Sequence, residues 1–302
     1  MGEFYIEYEY WFAAVQLVLA MLGMGATQTV EDFRDVMREP RSVTIGTLIQ
    51  LLLVPLIAFV FIQVAGLSGG VAVGVALIAA IPGGTTSNIF TFMARGNAPL
   101  SISITGITTL ACVLTTPLIL SLLITQYLPA DFSMPTGQII TEIALTLLLP
   151  LTIGMLILRF LPTYAGGISK WSIRASLLTI VFIVVGSSSA GRLDVDAFGH
   201  NNMLLVVLLI VLLAVITWGA SHLLRLSRAD ATAIQMEVVV RNVNLGVLLI
   251  ASMFPVIKGE DNQLGGMALF TVLLYGAVQM LLAILVIALR RRQTAVAVEA
   301  LD

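Results

Sequence analysis

Glu237 and Arg241 stand four residues apart in the run EVVVRNVNLG, inside a stretch that is otherwise apolar. Ionisable groups at membrane depth cost at least about 2.5 kcal/mol each and persist where they pair or line a polar cavity. Three roles are open for Glu237: cation ligand, proton carrier, or structural partner of Arg241. The glutamate-first i, i+4 order is the favourable one for a salt bridge on a helix.

A second concentration of polar groups lies at 82–88, PGGTTSN, where Pro82, Gly83 and Gly84 directly precede Thr85, Thr86, Ser87 and Asn88. Proline removes a backbone donor and clashes with the preceding turn, and paired glycines forfeit helix propensity. A helix is expected to break there. Such a break exposes carbonyl oxygens at the end of one half-helix and amide hydrogens at the start of the next. Neutral hydroxyl and amide oxygens suit an alkali or alkaline-earth cation, and Glu237 would supply one negative charge. A transition-metal set is absent, since His200 and His222 sit near the two ends of one apolar run and Cys112 is the single cysteine. That lone thiol also excludes an intrachain disulfide.

The elements that hold these groups are set by composition. The chain is 59% hydrophobic and 11% charged, with a mean hydropathy of +1.04 over 302 residues, which leaves too little polar surface to cover a soluble domain. Apolar runs of spanning length occupy 11–29, 42–66, 70–94, 98–127, 138–161, 171–191, 202–225, 229–256 and 264–290, predicting nine helices. With the N-terminus outside, Arg34, Arg38, Arg41, Arg95, Arg159, Lys170, Arg174, Arg225, Arg228, Arg290, Arg291 and Arg292 are cytoplasmic, and Arg192 and Lys258 are not. This asymmetry obeys the positive-inside rule and makes the C-terminus cytoplasmic. The basic residues are spread over short loops, so they argue against nucleic acid as a partner. The acidic N-terminal segment lacks the basic region of a signal peptide. Short loops without an Asn-x-Ser/Thr acceptor fit a bacterial inner membrane, and no obligate protein partner is evident.

Irregular backbone at membrane depth is tolerated where protein buries it or where it lines an aqueous cavity. Two interrupted helices, one in each half of the chain, point to a secondary transporter built from inverted repeats. A ligand-binding membrane sensor that moves nothing remains a rival. An enzyme is disfavoured, because no paired-carboxylate, Ser/His or HExxH arrangement occurs. Gly186, Ser187, Ser188 and Ser189 read as close helix packing rather than as a cavity wall.

At PGGTTSNIFTFMARGNAPLSISIT and EVVVRNVNLGVLL the chain resembles the bile acid:sodium symporter family, whose bacterial members share PGGTxSN in one crossing helix and an EVGMQNSGL-like motif in the other. The likeness extends to MLGMGATQTVEDF and IQLLLVPLIAF. It implies an all-α membrane fold with a panel domain at 11–29 and 138–191 and a core domain at 42–127 and 202–290. One sodium site would use Ser87, Asn88, Ser101, Thr105 and Glu237. A second would use Gln50, Glu237 and main-chain oxygens of Val238 and Val240 with the side chain at 241.

The family's glutamine at that last position is Arg241 here. A guanidinium offers five donors, no acceptor and a permanent charge, so the second sodium should be replaced by a tethered cation and one sodium retained. Alternatively, Arg241 anchors an anionic substrate together with Thr85, Thr86 and Asn242. The family's polar pair in the last helix appears here as approximately Leu274 and Tyr275, which weakens bile acid itself as the cargo. The expected function is sodium-coupled symport of an organic anion across the lipid bilayer by alternating access. The alternative is sodium-independent anion transport, proton-coupled or facilitative.

Overall fold

The computed structural model describes residues 2–29, 31, 40–128, 132–256 and 262–299, without the side chains of Thr85 and 292–299. Arg34, Arg38 and Lys258, and the side chain of Arg292, lie outside the described residues. The described elements are helical: α1 Gly2–Gly25, α2 Pro40–Val64, α3 Gly69–Ala80, α4 Thr85–Met93, α5 Ala98–Tyr127, α6 Thr136–Phe160, α7 Pro162–Ser189, α8 Val195–Phe198, α9 His200–Leu223, α10 Arg228–Val239, α11 Val243–Met253 and α12 Gln263–Glu299. Six of them, α2, α5, α6, α7, α9 and α12, are long and apolar enough to cross a membrane.

The molecule is inverted relative to a soluble protein. Leu114, Leu122 and Leu281 are about 70% exposed, whereas Ser101, Thr105 and Glu237 are wholly buried. Lipid is the solvent for the outer face. Helix α1 packs on α6 and α7, α3 on α12 and α5, and α9 on α10. Gly70 and Gly74 let α3 approach the main chain and side chains of α12, where a Cβ would strike Met267 or Thr271, the small-residue contact common between membrane helices.

Two helix starts differ from the sequence expectation, and α12 runs on to Glu299 beyond the expected 290. Helix α1 begins at Gly2 rather than 11, because one face of the acidic segment, Tyr5 and Glu9, packs inward while Glu3 and Glu7 stay exposed: Ser187 donates to the Tyr5 hydroxyl (2.9 Å), and Arg192 forms a buried ion pair with Glu9. Helix α7 begins at Pro162 rather than 171, with proline at its first position, where the missing N–H costs nothing. Gly186 and Ser187 pack on Tyr5, consistent with close packing.

The two expected breaks are present. Helix α3 stops at Ala80 ahead of Pro82, and α4 starts at Thr85 after an extended Gly84. Helix α10 stops at Val239, and Asn242 caps α11 by accepting from the Leu245 N–H. The breaks meet as a single antiparallel bridge between Gly83 and Arg241. The Gly84 N–H donates to Val240 O (3.1 Å) and the Asn242 N–H to Pro82 O (3.0 Å). Each break thus supplies the hydrogen bonds that the other lost.

The loops at one end are tied together. Arg41 Nη2 donates to Leu224 O (2.7 Å), Ser42 and Asn97 donate to Asp230 (2.9 and 2.8 Å), and Arg291 Nε donates to Met93 O (2.8 Å). Arg41 and Arg291 both stand at that end.

Candidate functional site

Glu237 lies in the last turn of its half-helix, which ends at Val239, and carries its carboxylate into a ring of oxygens. Its Oε1 lies 2.5 Å from both Ser87 Oγ and Ser101 Oγ, and its Oε2 lies 2.8 Å from Thr105 Oγ1. Asn88 Oδ1 closes the ring at 2.8 Å from Ser101 Oγ and 3.2 Å from Thr105 Oγ1, and Ser87 Oγ also lies 2.5 Å from Gly84 O. The five residues expected at the first ion site therefore converge, from α4, α5 and α10.

The chemistry of this ring favours a cation. Each hydroxyl has one proton, yet each of the three faces two acceptor oxygens within 3.2 Å. With the Asn88 amide oxygen turned to the ring and Glu237 ionised, three hydroxyl protons serve six oxygen–oxygen contacts. A bound cation would relieve the surplus lone pairs and compensate the buried carboxylate. The donors are hydroxyl, amide and carboxylate oxygens, the type that suits a hard cation.

Gln50 joins this ring to the guanidinium. It stands in a π-helical turn of α2, Ile49–Leu53, a local widening frequent at functional sites. Its Nε2 donates to Glu237 Oε2 (3.2 Å), and its Oε1 accepts from Arg241 Nη1 (2.9 Å). Arg241 Nε and Nη2 donate to Ile78 O and Ala79 O, both at 3.2 Å. The i, i+4 salt bridge does not form, because the helix ends at Val239 before reaching Arg241. The guanidinium instead caps the carbonyl end of α3, whose dipole is negative there. It meets Gln50 as expected, but its main-chain partners are Ile78 and Ala79; Val240 O is engaged by Gly84 in the bridge, and Val238 is buried beside it.

A cavity of about 340 Å³ adjoins the crossing on its other side. Thr86, Asn242 and Asn244 form its polar wall, at the amino ends of α4 and α11, and Ile173, Leu177 and Ile180 of α7 form the apolar wall opposite. Arg241 reaches this cavity, although its guanidinium is committed elsewhere. The Thr85 side chain lies outside the described residues.

Gln279 was not anticipated from the sequence. Its Oε1 accepts from the Arg241 N–H (2.9 Å) and its Nε2 donates to Arg241 O (3.3 Å), so one amide clamps both main-chain groups of the broken residue. One turn earlier Tyr275 donates to Val239 O (2.9 Å). The signal was available: Tyr275 and Gln279 are polar residues at i, i+4 in an apolar helix, and they share one face.

A family model described as the Sodium Bile acid symporter family matches residues 14–190. The sodium-dependent transporter YocS of Bacillus subtilis is 30% identical over 243 residues, 80% of this chain and 74% of that protein. Shorter stretches resemble the probable sodium/metabolite cotransporter BASS1 of Arabidopsis thaliana, 40% identical over 39% of this chain and 29% of the relative. The ileal sodium/bile acid cotransporter of Oryctolagus cuniculus is 35% identical over 35% of this chain and 30% of its own length. These relatives are transporters rather than enzymes. The family match over more than half the chain, joined to the long YocS alignment and to apolar crossing helices, makes this a multi-pass, sodium-coupled transporter belonging to the sodium/bile acid symporter family.

Proposed function

We propose that the protein carries a small organic anion inward with one sodium ion, by alternating access of a panel (α1, α6, α7) against a core made of the other spanning elements. On this reading the broken pairs α3–α4 and α10–α11 each count as one crossing. With α1 and the six long helices they make nine, with the N-terminus outside and the C-terminus cytoplasmic in a bacterial inner membrane.

The observation that carries the proposal is the convergence of Ser87, Asn88, Ser101 and Thr105 on the wholly buried Glu237 carboxylate. Sodium held there links α4, α5 and α10. Thr86, adjacent to Ser87, faces the cavity, so ion binding orders the amino end of α4 against which the anion is held. Substrate then meets Thr85, Thr86 and Asn242, with main-chain N–H groups of α4 and α11 directed at its negative charge. Coupling requires that sodium favour the substrate-competent arrangement differentially, and the shared α4 terminus provides that link. Arg241 takes the place of a second sodium, since its charge is held by Gln50, Ile78 O and Ala79 O.

The test is uptake of radiolabelled taurocholate and pyruvate into proteoliposomes, with external sodium or choline at two pH values. Uptake that needs sodium at both pH values is expected. Equal uptake in choline would overturn symport in favour of sodium-independent transport, and saturable binding without counterflow would indicate a sensor.

A further inference from the structure

We infer that transport by this chain is electroneutral, because the ion that accompanies the substrate balances its charge and the second cation is part of the protein. The inference rests on the one-sodium reading above. Glu237 and Arg241 are the ionisable pair buried at the crossing, at 0% and 2% exposure. Both belong to the same broken crossing, α10–α11, so they move together.

The guanidinium cannot exchange with solvent cations. Its three nitrogens are engaged with Gln50 Oε1, Ile78 O and Ala79 O, and the main chain of the same residue is fixed by Gln279 and by the bridge to Gly83. Its charge is permanent. The empty crossing therefore sums to zero, one carboxylate against one guanidinium. Adding one sodium and one monoanion adds plus one and minus one, so the loaded crossing also sums to zero. Neither half of the cycle moves net charge through the membrane field.

A neutral side chain at 241 changes the account. The empty crossing would carry minus one, and two sodium ions with a monoanion would bring it to zero. The return step would then move charge and respond to voltage. Arg241 thus decides whether membrane potential drives the carrier.

The experiment uses the full chain in potassium-loaded proteoliposomes with valinomycin, an inward sodium gradient, and radiolabelled taurocholate or pyruvate as probe. Accumulation is compared at zero potential and at about 100 mV inside-negative, where one net charge per cycle would raise steady-state accumulation about 50-fold. The expected result is sodium-dependent accumulation that agrees within about twofold at the two potentials. Sodium-dependent accumulation raised about tenfold or more by voltage would overturn electroneutrality while leaving the sodium site standing. Absence of sodium-dependent uptake of either anion at either potential would overturn both. Arg241→Gln provides a second arm: a folded variant should acquire the voltage response, and one that transports with sodium yet remains voltage-insensitive also overturns the inference. The unsubstituted protein decides the matter if that variant does not fold.

Discussion

Glu237 owes its position to the hydroxyls around it rather than to the arginine four residues on. Ser87, Ser101 and Thr105 come from two other helices, and removing the carboxylate leaves them facing one another. Glu237→Gln is expected to abolish any sodium-dependent rise in melting temperature and to stop uptake. Loss of the carboxylate that shares Gln50 with Arg241 should also lower the melting temperature in detergent, because the buried guanidinium keeps its charge without a compensating one at the crossing. Gly83→Ala is expected to displace the Glu237 carboxylate, because the added Cβ would strike its Oε2 and lie tight against the Glu237 main-chain oxygen at 3.3 Å. Sodium binding should be lost there without removal of any ligand, as a sodium titration of thermal stability would show. The residue type most informative in the sequence was the charged one in an apolar run, since membrane burial makes such residues expensive. What the sequence did not disclose was the direction of the Arg241 side chain. Its distance along the chain from Glu237 suggested a helical pair, and only the break between them turns it toward α3.

At the scale of elements, the breaks were legible because proline and paired glycines have local physical effects that need no neighbours. Gln279 was not, because its importance depends on which face of α12 meets the crossing. Replacing it by leucine leaves the Arg241 N–H unpaired, at about 1–3 kcal/mol, while Arg241 O keeps the Val243 N–H. Gln279→Leu is therefore expected to lower the melting temperature by several degrees and weaken sodium binding, although Gln279 touches none of the sodium-site oxygens. A sodium-site affinity unchanged in a folded Gln279→Leu protein would show that the clamp is structural only. Helix starts were the least legible feature: the acidic run before residue 11 lacks an apolar signature, and its helix is fixed by Tyr5 and Glu9 meeting the far end of α7.

Across the whole molecule, the proposed alternating access requires the contacts between α6 and α11 to part in some step of the cycle. Near the start of α6, Gln138 Nε2 donates to Ser252 Oγ (2.7 Å), and Tyr10 donates to both oxygens of Glu142 (2.9 and 2.8 Å). Phe132 stacks on Phe254 and Phe198 on Phe270. These contacts join α6 and the segment before it to the end of α11, α1 to α6, and α8 to α12. In a Cys112→Ala background, bridging Gln138→Cys to Ser252→Cys with a short bis-thiosulfonate is expected to arrest uptake by at least about tenfold, reversibly on reduction. Uptake undiminished after verified crosslinking would show that this end need not open. Nothing in the sequence singled out these residues, because each is an ordinary polar or aromatic side chain until α6 is set beside α11.

The bridge between Gly83 and Arg241 also bears on how the protein is made. Ser87 and Glu237 are 150 residues apart, so the first broken helix enters the membrane long before the second has been synthesised. Until then Pro82 O, the Gly84 N–H and the carbonyls of Ile78 and Ala79 await the partners they have in the finished fold. The amino-terminal half cannot mature by itself, and biosynthesis must keep it sheltered until Arg241 arrives.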